Sequence, residues 1–538
     1  MSGDGRSEGG DRDGQAGTLA FLASTPDFGE EPAGAPILTH ISAVLLRGKR
    51  AIKLKRAVHL PYVDFSTPGR RLAACERELE LNRRTAPALY RAVRRVTRHA
   101  DGGLELDGDG ALVDAVVEMR RFPDDALFDR LPKAALTPPV MTRLARNIAA
   151  FHRTAPVDPS TEGAARMAAV LDGNRRALAD TLAGAGIASP ADVARYADAA
   201  DAALEAHAGL MDARASAGKV RRCHGDLHLR NICLLDGEPT LFDCLEFDEE
   251  LATTDVLYDL AFLLMDLWHR GLRRQANLVL NRYLDAADEA DGLPLLPLFM
   301  SVRAAVRAHV AAARGGDAGE EAGSYFALAA ALLEPRPARL VAIGGFSGSG
   351  KSTVAAAVAP VLGPAPGARI LASDRIRKAS FGVAAETRLP PEAYEGAVSQ
   401  RVYARLAAQA AAIAGAGHAV VADAVFDRAE ERARIAQAAS EADVPFEGLW
   451  LDVPLERLVA RVAARRGDAS DATPEVVRAQ VAHSLEGLDW ARLPADRGPE
   501  EVSAAARARL AGDGGRDQPA LPLRPAGEAH GMAPPGET

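Results

Sequence analysis

One octet constrains the fold of this chain more than any other stretch: GFSGSGKS at residues 345–352. It matches the pattern G-x-x-x-x-G-K-[ST], in which the backbone N–H groups of a glycine-rich loop surround phosphate oxygens. An apolar run, LVAIG, precedes the octet, and an amphipathic stretch, TVAAAVAPVLG, follows it. A Gly/Ser loop without a function is the alternative. The strand before the loop and the helix after it favour a phosphate-binding site instead.

The octet predicts roles for individual residues. We expect the N–H groups of Ser349, Gly350 and Lys351 to point at phosphate oxygens, and the Lys351 ammonium to reach the β- and γ-phosphates. The Ser352 hydroxyl is the predicted ligand of Mg²⁺. The expected cofactors are therefore ATP and Mg²⁺. The residues assigned to nucleotide binding are Gly345, Ser347, Gly348, Ser349, Gly350, Lys351, Ser352 and Thr353.

The C-terminal part of the chain alternates strand-like and helical runs. LVAIGG, RILAS, HAVVAD and FEGLWLD are the predicted strands, and this βαβ pattern is typical of a parallel sheet. Two of these runs lead directly into an aspartate, Asp374 or Asp423, at the strand ends where open parallel sheets bind ligands. Structural capping would explain one such aspartate. Two of them in one small domain favour roles in metal binding and catalysis.

A second polar octet, HGDLHLRN at residues 224–231, stands directly before the apolar run ICLL. Three interpretations compete: a metal site on the histidines, a polar turn without a function, and a phosphoryl-transfer loop. His224 and His228 are four positions apart, which suits two metal ligands only on a helix, and Gly225 argues against a helix. The zinc-peptidase pattern also needs a glutamate that this octet lacks. The metal interpretation is therefore disfavoured.

The residues after the octet favour phosphoryl transfer. Asp-Gly between the apolar runs ICLL and TLF is a β-hairpin signal. Folding the hairpin brings Asn231 and Asp243 to its open end, with Asp226 just upstream. The amide oxygen of Asn231 and the carboxylate of Asp243 can then hold Mg²⁺, while the Asp226 carboxylate stays free to accept a proton. A base, an amide and a second carboxylate are the set that kinase chemistry requires.

The properties of the whole chain are those of an ordinary globular protein. Its 538 residues are too many for one core, and its hydrophobic content of 48% and charged content of 25% are average. The net charge of -9 gives no electrostatic reason to expect nucleic acid or an anionic membrane as a partner. We find neither a run of about 18 apolar residues nor a signal peptide. The four cysteines form no C-x-x-C pair, so we expect a cytoplasmic protein.

Composition breaks predict the domain boundaries. The stretch ARGGDAGEEAG at 313–323 reads as a flexible segment, and EPRPAR at 334–339 reads as a spacer that ends a helix. Before these breaks, strand-like runs such as AVLL, AIKLK and LVDAVVEM come first and amphipathic helices follow, which indicates an α+β fold with two lobes. The expected divisions are a disordered tail at 1–30, an α+β domain at 31–335, an α/β domain at 336–512 and a disordered tail at 513–538.

HGDLHLRN followed by FDCLEF resembles the aminoglycoside phosphotransferase and choline kinase branch of the protein-kinase-like fold. The resemblance implies that Lys53 of AIKLK positions the ATP phosphates, with Lys55 on the same strand face as the fallback. It also implies a glutamate partner for this lysine in the helix CERELELNRR. Glu78 is the predicted partner and Glu76 the alternative.

Other parts of the resemblance concern the loops around the site. It implies that Asp255 and Asp259 of TDVLYDLAFLLMDL brace the site, although ordinary helix capping would also explain them. His224 and His228 then become hydrogen bonders that shape the loop. The chain departs from protein kinases in two places, because VLLRGK has few glycines and Asp243 is not followed by Phe-Gly. Both departures are tolerated in this branch.

The C-terminal domain resembles AAA_33-type P-loop kinases, which are related to zeta toxins, gluconate kinase and polynucleotide 5′-kinases. Its segment ERLVARVAARRGDASDAT is similar to the mobile lid of small P-loop kinases, which implies a catalytic role for Arg461 and Arg465, four positions apart. A solvated basic helix face is the alternative for these arginines. Both domains in this order resemble a bacterial family of fused aminoglycoside phosphotransferase and ATP-binding proteins, over roughly residues 35–510.

The resemblance implies two ATP-dependent phosphotransferase sites, each acting on a small-molecule hydroxyl. In the α/β domain, either Asp374 or Asp423 would handle the acceptor. Three alternatives stay open: an ATP-binding regulatory role for the α/β domain, a polynucleotide 5′-kinase, and a zeta-toxin-like activity. Nucleic-acid and membrane partners are not expected, and neither the acceptors nor the oligomeric state can be read from the sequence.

Overall fold

The computed structural model describes residues 12–31, 33–60, 63–464, 470–482 and 485–511. The chain forms two compact units. The first comprises residues 1–177, 191–266 and 275–304, and the second comprises residues 178–190, 267–274 and 305–538.

The N-terminal lobe of the first unit is built on a six-stranded antiparallel sheet with the order β1-β2-β3-β8-β6-β7. Helix α2 packs against β8 and β6 on one face, and Thr67 caps its N-terminus by accepting from Arg70 N–H. The hairpin predicted from AVLL and AIKLK is confirmed as β2 and β3. The elements of this lobe are α1 (Arg12–Ser24), β1 (Ile37–Leu38), β2 (Ser42–Arg47), β3 (Arg50–Lys55), β4 (His59–Leu60), β5 (Val63–Asp64), α2 (Pro68–Asn82), β6 (Tyr90–Arg98), β7 (Leu104–Leu106) and β8 (Ala111–Arg120).

Helices dominate the chain after β8, as the predicted α+β order requires. Two short antiparallel pairs, β10 with β11 and β9 with β12, lie among them. The elements are α3 (Pro138–Thr154), α4 (Gly163–Leu178), α5 (Pro190–Ser216), β9 (Val220–Arg222), β10 (Ile232–Leu235), β11 (Glu238–Leu241), α6 (Glu249–Ala252), β12 (Thr253–Asp255), α7 (Val256–His269), α8 (Arg273–Ala286), α9 (Leu296–Arg314) and α10 (Ala318–Leu332).

The second unit contains a five-stranded parallel sheet with the order β14-β15-β13-β16-β17. The four predicted strands are confirmed, and β17 was not predicted because ARLP is short and lacks β-branched residues. Buried aliphatic side chains such as Val341, Ile343 and Leu451 form the core beside the helices. The elements are β13 (Leu340–Gly344), α11 (Lys351–Val358), β14 (Arg369–Ala372), α12 (Ser373–Ser380), α13 (Gly396–Gly415), β15 (Val420–Asp423), α14 (Ala429–Glu441), β16 (Phe446–Asp452), α15 (Leu455–Ala464), α16 (Pro474–Ala482), β17 (Ala491–Pro494) and α17 (Pro499–Ala511).

The disordered tail predicted at 1–30 is wrong for its second half. Residues 12–24 form α1, and Leu22 and Phe28 are buried in the core of the N-terminal lobe. Gln15 anchors this helix, because its Nε2 donates to Lys55 O at 2.8 Å and to Asp114 Oδ2 at 2.9 Å. The glycine-rich composition concealed a helix that tertiary hydrogen bonds hold in place. The first eleven residues and the tail predicted at 513–538 lie outside the described residues.

Two other expectations about the chain's organisation need adjustment. The segment predicted to be flexible at 313–323 is short, because α9 continues to Arg314 and α10 begins at Ala318. Residues 267–274 and 305–335, which the predicted boundaries placed in the first domain, group with the second unit.

One helical stretch, 290–314, is long and apolar enough to cross a membrane by length and composition alone. Within this stretch, 67% of the apolar window is buried inside the protein.

Candidate active sites

The first candidate site begins with Lys53 on β3. Its Nζ lies 2.8 Å from Glu78 Oε1 and also forms an ion pair with Asp243. Glu78 is fully buried on α2, whereas Glu76 is exposed, so the structure pairs the lysine with the predicted glutamate. Burial alone would lower the pKa of Lys53, but the charges of Asp243 and Glu78 outweigh burial and raise it well above its usual value. The ammonium is therefore held charged where a phosphate can replace Asp243 as its partner.

Lys55 is a second lysine on the same face of β3, since side chains alternate along a strand. It is fully buried, and its Nζ lies 2.5 Å from Glu78 Oε2 and forms an ion pair with Glu246. Burial raises the pKa of Glu78, but Lys53 and Lys55 outweigh burial and lower it to about 2. Lys55 therefore helps to keep Glu78 ionised and does not replace Lys53.

The open end of the β10–β11 hairpin brings the predicted polar residues together. Ile232 lies opposite Leu241, and Phe242 N–H donates to Asn231 O at 3.0 Å, so Asn231 and Asp243 flank the same end of the pair. The hairpin prediction is confirmed. Asp243 itself has a φ of 62°, which is rare for a residue other than glycine and is typical of functional sites.

Asp226 lies beside Asn231 in the same loop. Asn231 Nδ2 donates to Asp226 O at 2.9 Å and to Asp226 Oδ2 at 2.8 Å. His228 Nε2 lies 3.4 Å from the same carboxylate oxygen. Burial raises the pKa of Asp226, but His228 and His224 outweigh it and lower the pKa far below its ordinary value. Asp226 is therefore ionised at neutral pH, so it can orient a hydroxyl and receive its proton.

The two histidines of the octet have separate hydrogen-bond partners. His224 Nε2 hydrogen-bonds Phe242 O at 2.9 Å, and its Nδ1 accepts from Asp226 N–H at 3.3 Å. His228 Nδ1 accepts from Arg230 N–H at 3.2 Å. These contacts shape the loop and tie it to the end of the hairpin.

A buried chain of polar groups braces this loop. Asp259 accepts from His224 N–H at 3.2 Å and from Gly225 N–H at 2.8 Å, and His152 Nε2 lies 3.0 Å from its Oδ2. His152 Nδ1 in turn hydrogen-bonds the Tyr283 hydroxyl at 2.9 Å. His152, Asp259 and Cys223 are close enough to share a metal ion, but both ring nitrogens of the histidine already have partners. This group therefore serves as a support.

Asp255, the second aspartate predicted to brace the site, has a different surrounding. It forms an ion pair with Arg214 at 2.8 Å, and Arg214 also contacts Glu289 and Asp291. Asp255 therefore belongs to a buried ionic cluster at the start of α7, one turn away from the loop contact of Asp259.

The second candidate site is the octet 345–352, which connects β13 to α11. Gly350 caps α11 with a φ of 96°, a left-handed conformation that favours glycine. Ser352 Oγ donates to Asp423 Oδ2 at 2.6 Å, and Lys351 Nζ donates to Phe346 O at 3.2 Å. One expectation is wrong, because the Ser349 N–H closes a turn onto Phe346 O at 3.0 Å and does not face outward.

The lid segment and the helix that follows it each make a contact with this loop. Arg461 on α15 donates through Nη1 to Gly348 O at 3.4 Å, and Ser347 N–H donates to Gln480 Oε1 on α16 at 2.9 Å. Arg465, the other predicted lid arginine, lies outside the described residues. Of the remaining loop positions, Gly345 has a φ of 144°, and Thr353 is exposed in the first turn of α11.

The family profiles match both parts of the chain. Residues 56–295 match the phosphotransferase enzyme family, APH. Residues 340–488 match an AAA domain, AAA_33. The chain therefore contains an APH domain followed by an AAA_33 domain. Its fold is accordingly a two-lobed, protein-kinase-like APH domain followed by a parallel-sheet P-loop domain.

Similar proteins include chains from several bacteria. An uncharacterized protein of Mycobacterium tuberculosis is 29% identical over 486 residues, covering 88% of this chain and 93% of that protein. A choline/ethanolamine kinase family protein from Mesorhizobium loti is 17% identical and covers 60% of this chain and 95% of that chain, with a TM-score of 0.38. A sugar kinase from Janibacter is 25% identical over 32% of this chain and 95% of that chain, with a TM-score of 0.24.

The residues of both domains fit Mg²⁺. Among the described residues the side-chain oxygen of Asn231 has no hydrogen-bond partner, and Asp243 adds a carboxylate, so the APH site offers the hard oxygen ligands that Mg²⁺ prefers. In the AAA_33 domain, Ser352 and Asp423 offer a hydroxyl and a carboxylate 2.6 Å apart. Such an ion would neutralise charge on the phosphates.

The two strand-end aspartates of the AAA_33 domain face different neighbours. Asp423 ends β15, is 4% exposed and accepts from Ser352. Asp374 lies in the first turn of α12. Burial and Asp471 raise the pKa of Tyr394, and the charge of Asp374 makes a smaller contribution in the same direction. Asp423 is thus in contact with the phosphate loop, and Asp374 is near Tyr394.

Several site residues were missed by sequence reasoning. Glu246 is the glutamate of FDCLEF. Two lysines on one buried strand face, Lys53 and Lys55, need carboxylates to balance their charges, and this requirement could have identified Glu246. His152, Tyr283 and Gln480 carried no local signal, because each stands in an ordinary amphipathic helix and meets its partner only in the folded chain.

Proposed function

We propose that each domain is an ATP-dependent phosphotransferase with its own acceptor. Two contacts support the proposal: one between a lysine and a carboxylate in the first domain, and one between a carboxylate and the residue that follows a lysine in the second. The contacts join Lys53 to Asp243 in the APH domain, and Asp423 to Ser352, which follows Lys351, in the AAA_33 domain.

In the APH domain, Lys53 would bind the ATP phosphates, and Asn231 and Asp243 would hold Mg²⁺. Asp226 orients the acceptor hydroxyl toward the γ-phosphorus and receives its proton. A bond forms between the acceptor oxygen and the γ-phosphorus, the bond from that phosphorus to the β–γ bridging oxygen breaks, and ADP leaves. The low pKa of Asp226 makes it a weak base, which suits a loose transition state in which the proton moves late.

In the AAA_33 domain, the loop N–H groups and Lys351 would hold the phosphates, and Ser352 and Asp423 would hold Mg²⁺. The contact between Ser352 and Asp423 supports a metal-side role for Asp423, which leaves Asp374 to orient the acceptor hydroxyl. Arg461, already at the loop, and Arg465 would neutralise charge on the transferring group.

Single and double variants test the proposal. Asp226→Asn should abolish ATP turnover with acceptors of the APH domain only, and Lys351→Ala should abolish turnover with acceptors of the AAA_33 domain only. The double variant should turn over neither. If Lys351→Ala instead changes only the APH activity, the AAA_33 domain is an ATP-responsive regulatory module and the proposal of two kinases fails.

We further propose that the protein works in the cytoplasm on small molecules, without a nucleic-acid or membrane partner. The four cysteines are all free and buried, as in proteins of a reducing compartment, and the net charge of -9 gives no general attraction to polyanions.

A further inference from the structure

Arg303 on α9 is a buried cation that the proposed chemistry does not use. It is 6% exposed, and its guanidinium lies 3.9 Å from the ring centroid of Tyr258 and 4.8 Å from that of Phe262. Its Nε–H donates to Tyr258 O at 3.3 Å. The side chain is therefore held by two aromatic faces and one carbonyl.

No carboxylate of the described chain contacts this guanidinium, although the buried Asp259 carboxylate is near enough for the two charges to interact. Within the part of the chain that the structure describes, the bond to Tyr258 O is its only hydrogen bond, no carboxylate lies within 4.0 Å, and its buried Nη2 has no partner. Arg214 shows the ordinary alternative, because it is equally buried but is surrounded by three carboxylates. An arginine cannot lose its proton, and a buried charge without a partner is costly. Arg303 is therefore poised to pair with an anion.

The rings of Phe262 and His228 connect Arg303 to Asp226. The Phe262 ring that the guanidinium covers lies 5.2 Å from the His228 ring, edge to face, and His228 contacts the Asp226 carboxylate. The unpaired cation thus belongs to the surroundings of the predicted acceptor hydroxyl.

The same geometry argues against a cationic acceptor. Ammonium groups such as that of choline are usually recognised by the faces of aromatic rings. The Arg303 guanidinium covers one face of the Tyr258 ring and one face of the Phe262 ring, and it would also repel a second cation.

We propose that the acceptor of the APH domain is a small hydroxy compound with a carboxylate or phosphate group, and that this group pairs with Arg303 while the hydroxyl lies at Asp226. The planar fork of the guanidinium suits either oxyanion. The inference rests on the proposed phosphotransferase activity of this domain and specifies its substrate class.

The test uses the full chain with Lys351→Ala, so that only the APH domain turns over. Matched acceptors share a skeleton and differ in charge: glycerate, glycerol 3-phosphate and glycerol form one set, and gluconate, glucose and glucosamine form another. Choline and an aminoglycoside are added as cations. We expect kcat/KM to be roughly 10- to 100-fold higher for an anionic member than for its uncharged partner, the range of one charge-assisted hydrogen bond. The carboxylate and phosphate arms show which oxyanion is used.

Variants of Arg303 connect this preference to the residue. Arg303→Met should bring the ratio of kcat/KM between anionic and uncharged acceptors close to one, mainly through KM of the anionic acceptor. Arg303→Lys should restore part of the ratio, because the charge returns without the fork. Arg307→Met removes a cation from the same helix that is paired with Glu321, and it should leave the ratio as in the parent.

The outcomes separate the two proposals. Equal or better turnover of uncharged or cationic acceptors, or a ratio that Arg303→Met leaves unchanged in a protein that still binds ATP, overturns the inference alone. Turnover of no acceptor of any charge, together with an ATP turnover that Asp226→Asn does not alter, overturns the proposed activity of the APH domain itself.

Discussion

The two phosphate sites of this protein are built from different materials. The APH site consists of charged side chains that come from distant parts of the chain, since Lys53 and Asp243 are 190 positions apart. The AAA_33 site is a contiguous loop of eight residues whose backbone geometry and N–H groups do most of the binding. The first site thus depends on ion pairs between buried side chains, and the second depends on the conformation of the backbone.

This difference determines how each site should fail. Removing one charge from a buried network leaves its partners uncompensated, which affects both stability and activity. A backbone site tolerates changes of side-chain charge better, but it is sensitive to any atom that alters the course of the chain. The following changes test this contrast, in order of decreasing expected effect.

Lys55→Met should destabilise the N-terminal lobe by about 3–5 kcal/mol, because Glu78 and Glu246 would share only Lys53. Hydrogen exchange measured by mass spectrometry on peptides from β3 and α2 would detect the loss of protection. Lys49→Met, at an exposed lysine in the turn before β3, is the control and should change stability by less than about 0.5 kcal/mol. Similar protection from hydrogen exchange in the two variants would show that the buried charges do not depend on one another for stability.

Asp243→Asn should lower the APH activity by about 10²–10³-fold, since it removes a charged metal ligand and the partner of Lys53. Ser352→Ala removes a neutral ligand in the AAA_33 domain and should cost about tenfold, because one neutral contact is worth about 1 kcal/mol. Titrations of kcat with Mg²⁺, each with the other site silenced, would measure both effects. Excess Mg²⁺ should rescue Ser352→Ala and not Asp243→Asn, and the reverse pattern would contradict the contrast.

The pH dependence of stability should also differ between the two regions. Burial lowers the pKa of His418, just before β15, from an ordinary 6.5 to about 4. Between pH 6.5 and pH 4, His418 binds a proton in the unfolded chain but not in the folded chain. Its effect is to lower the free energy of unfolding as the pH falls, by up to about 3 kcal/mol at pH 4. Glu78 in the other region, with its pKa lowered from 4.5 to about 2, makes a contribution that is lost only as the pH falls from 4.5 toward 2.

The three tryptophans, Trp268, Trp450 and Trp490, all lie in the second unit, so their fluorescence during urea unfolding reports on His418. Burial also lowers the pKa of His309 in this unit to about 4 and raises the pKa of Glu431 to about 7, which acts in the opposite direction. The contribution of His418 is therefore the difference between two proteins: between pH 6.5 and pH 4, His418→Gln should lose about 3 kcal/mol less stability than the parent. An unchanged slope in this variant would show that another group is responsible.

Gly348→Ala should weaken ATP binding to the AAA_33 domain by roughly tenfold, about 1.4 kcal/mol. A Cβ at this position would lie 2.8 Å from Leu458 O and 3.0 Å from Val462 Cγ2, so it would push α15 and Arg461 away from the loop. Gly417 is the control position, because its φ of 89° is close to the 91° of Gly348 and no atom lies within 4 Å of an added Cβ.

Gly417→Ala should therefore cost only the backbone strain of about 1 kcal/mol in stability and leave the affinity for ATP unchanged. Calorimetric titration with ATP in a Lys53→Ala background, which removes the predicted phosphate contact of the APH domain, compares the two variants. Equal affinities would show that backbone shape at Gly348 does not control the loop.

Sequence reasoning succeeded where a local pattern carries its own geometry. Asp236 and Gly237 both have the positive φ that a two-residue hairpin turn requires, and Asp-Gly was the signal that predicted this turn. The strand–loop–helix around 345–352 followed from the glycine spacing in the same way. These patterns place Asn231, Asp243 and Ser352 without any long-range information.

It failed where a residue's meaning depends on distant partners. Lys55 looked like a spare for Lys53 until its partner Glu246, 191 positions away, was seen beside it. Arg303 carries no local signal in the sequence that would distinguish it from other helical arginines. Helix α1 was hidden by glycine-rich composition, because Gln15 finds Asp114 only across 99 positions of chain.

The amino-acid sequence by itself determined the two fold classes, the hairpin and the phosphate loop, since strand and helix periodicity and turn chemistry act over a few residues. Only the tertiary structure decided which glutamate pairs with Lys53, what braces the loop at Asp226, and that Arg303 is buried with no described carboxylate in contact with it. The physical reason is that the strength of a charge depends on its burial and its neighbours, and both are set by contacts between segments that are far apart in the chain.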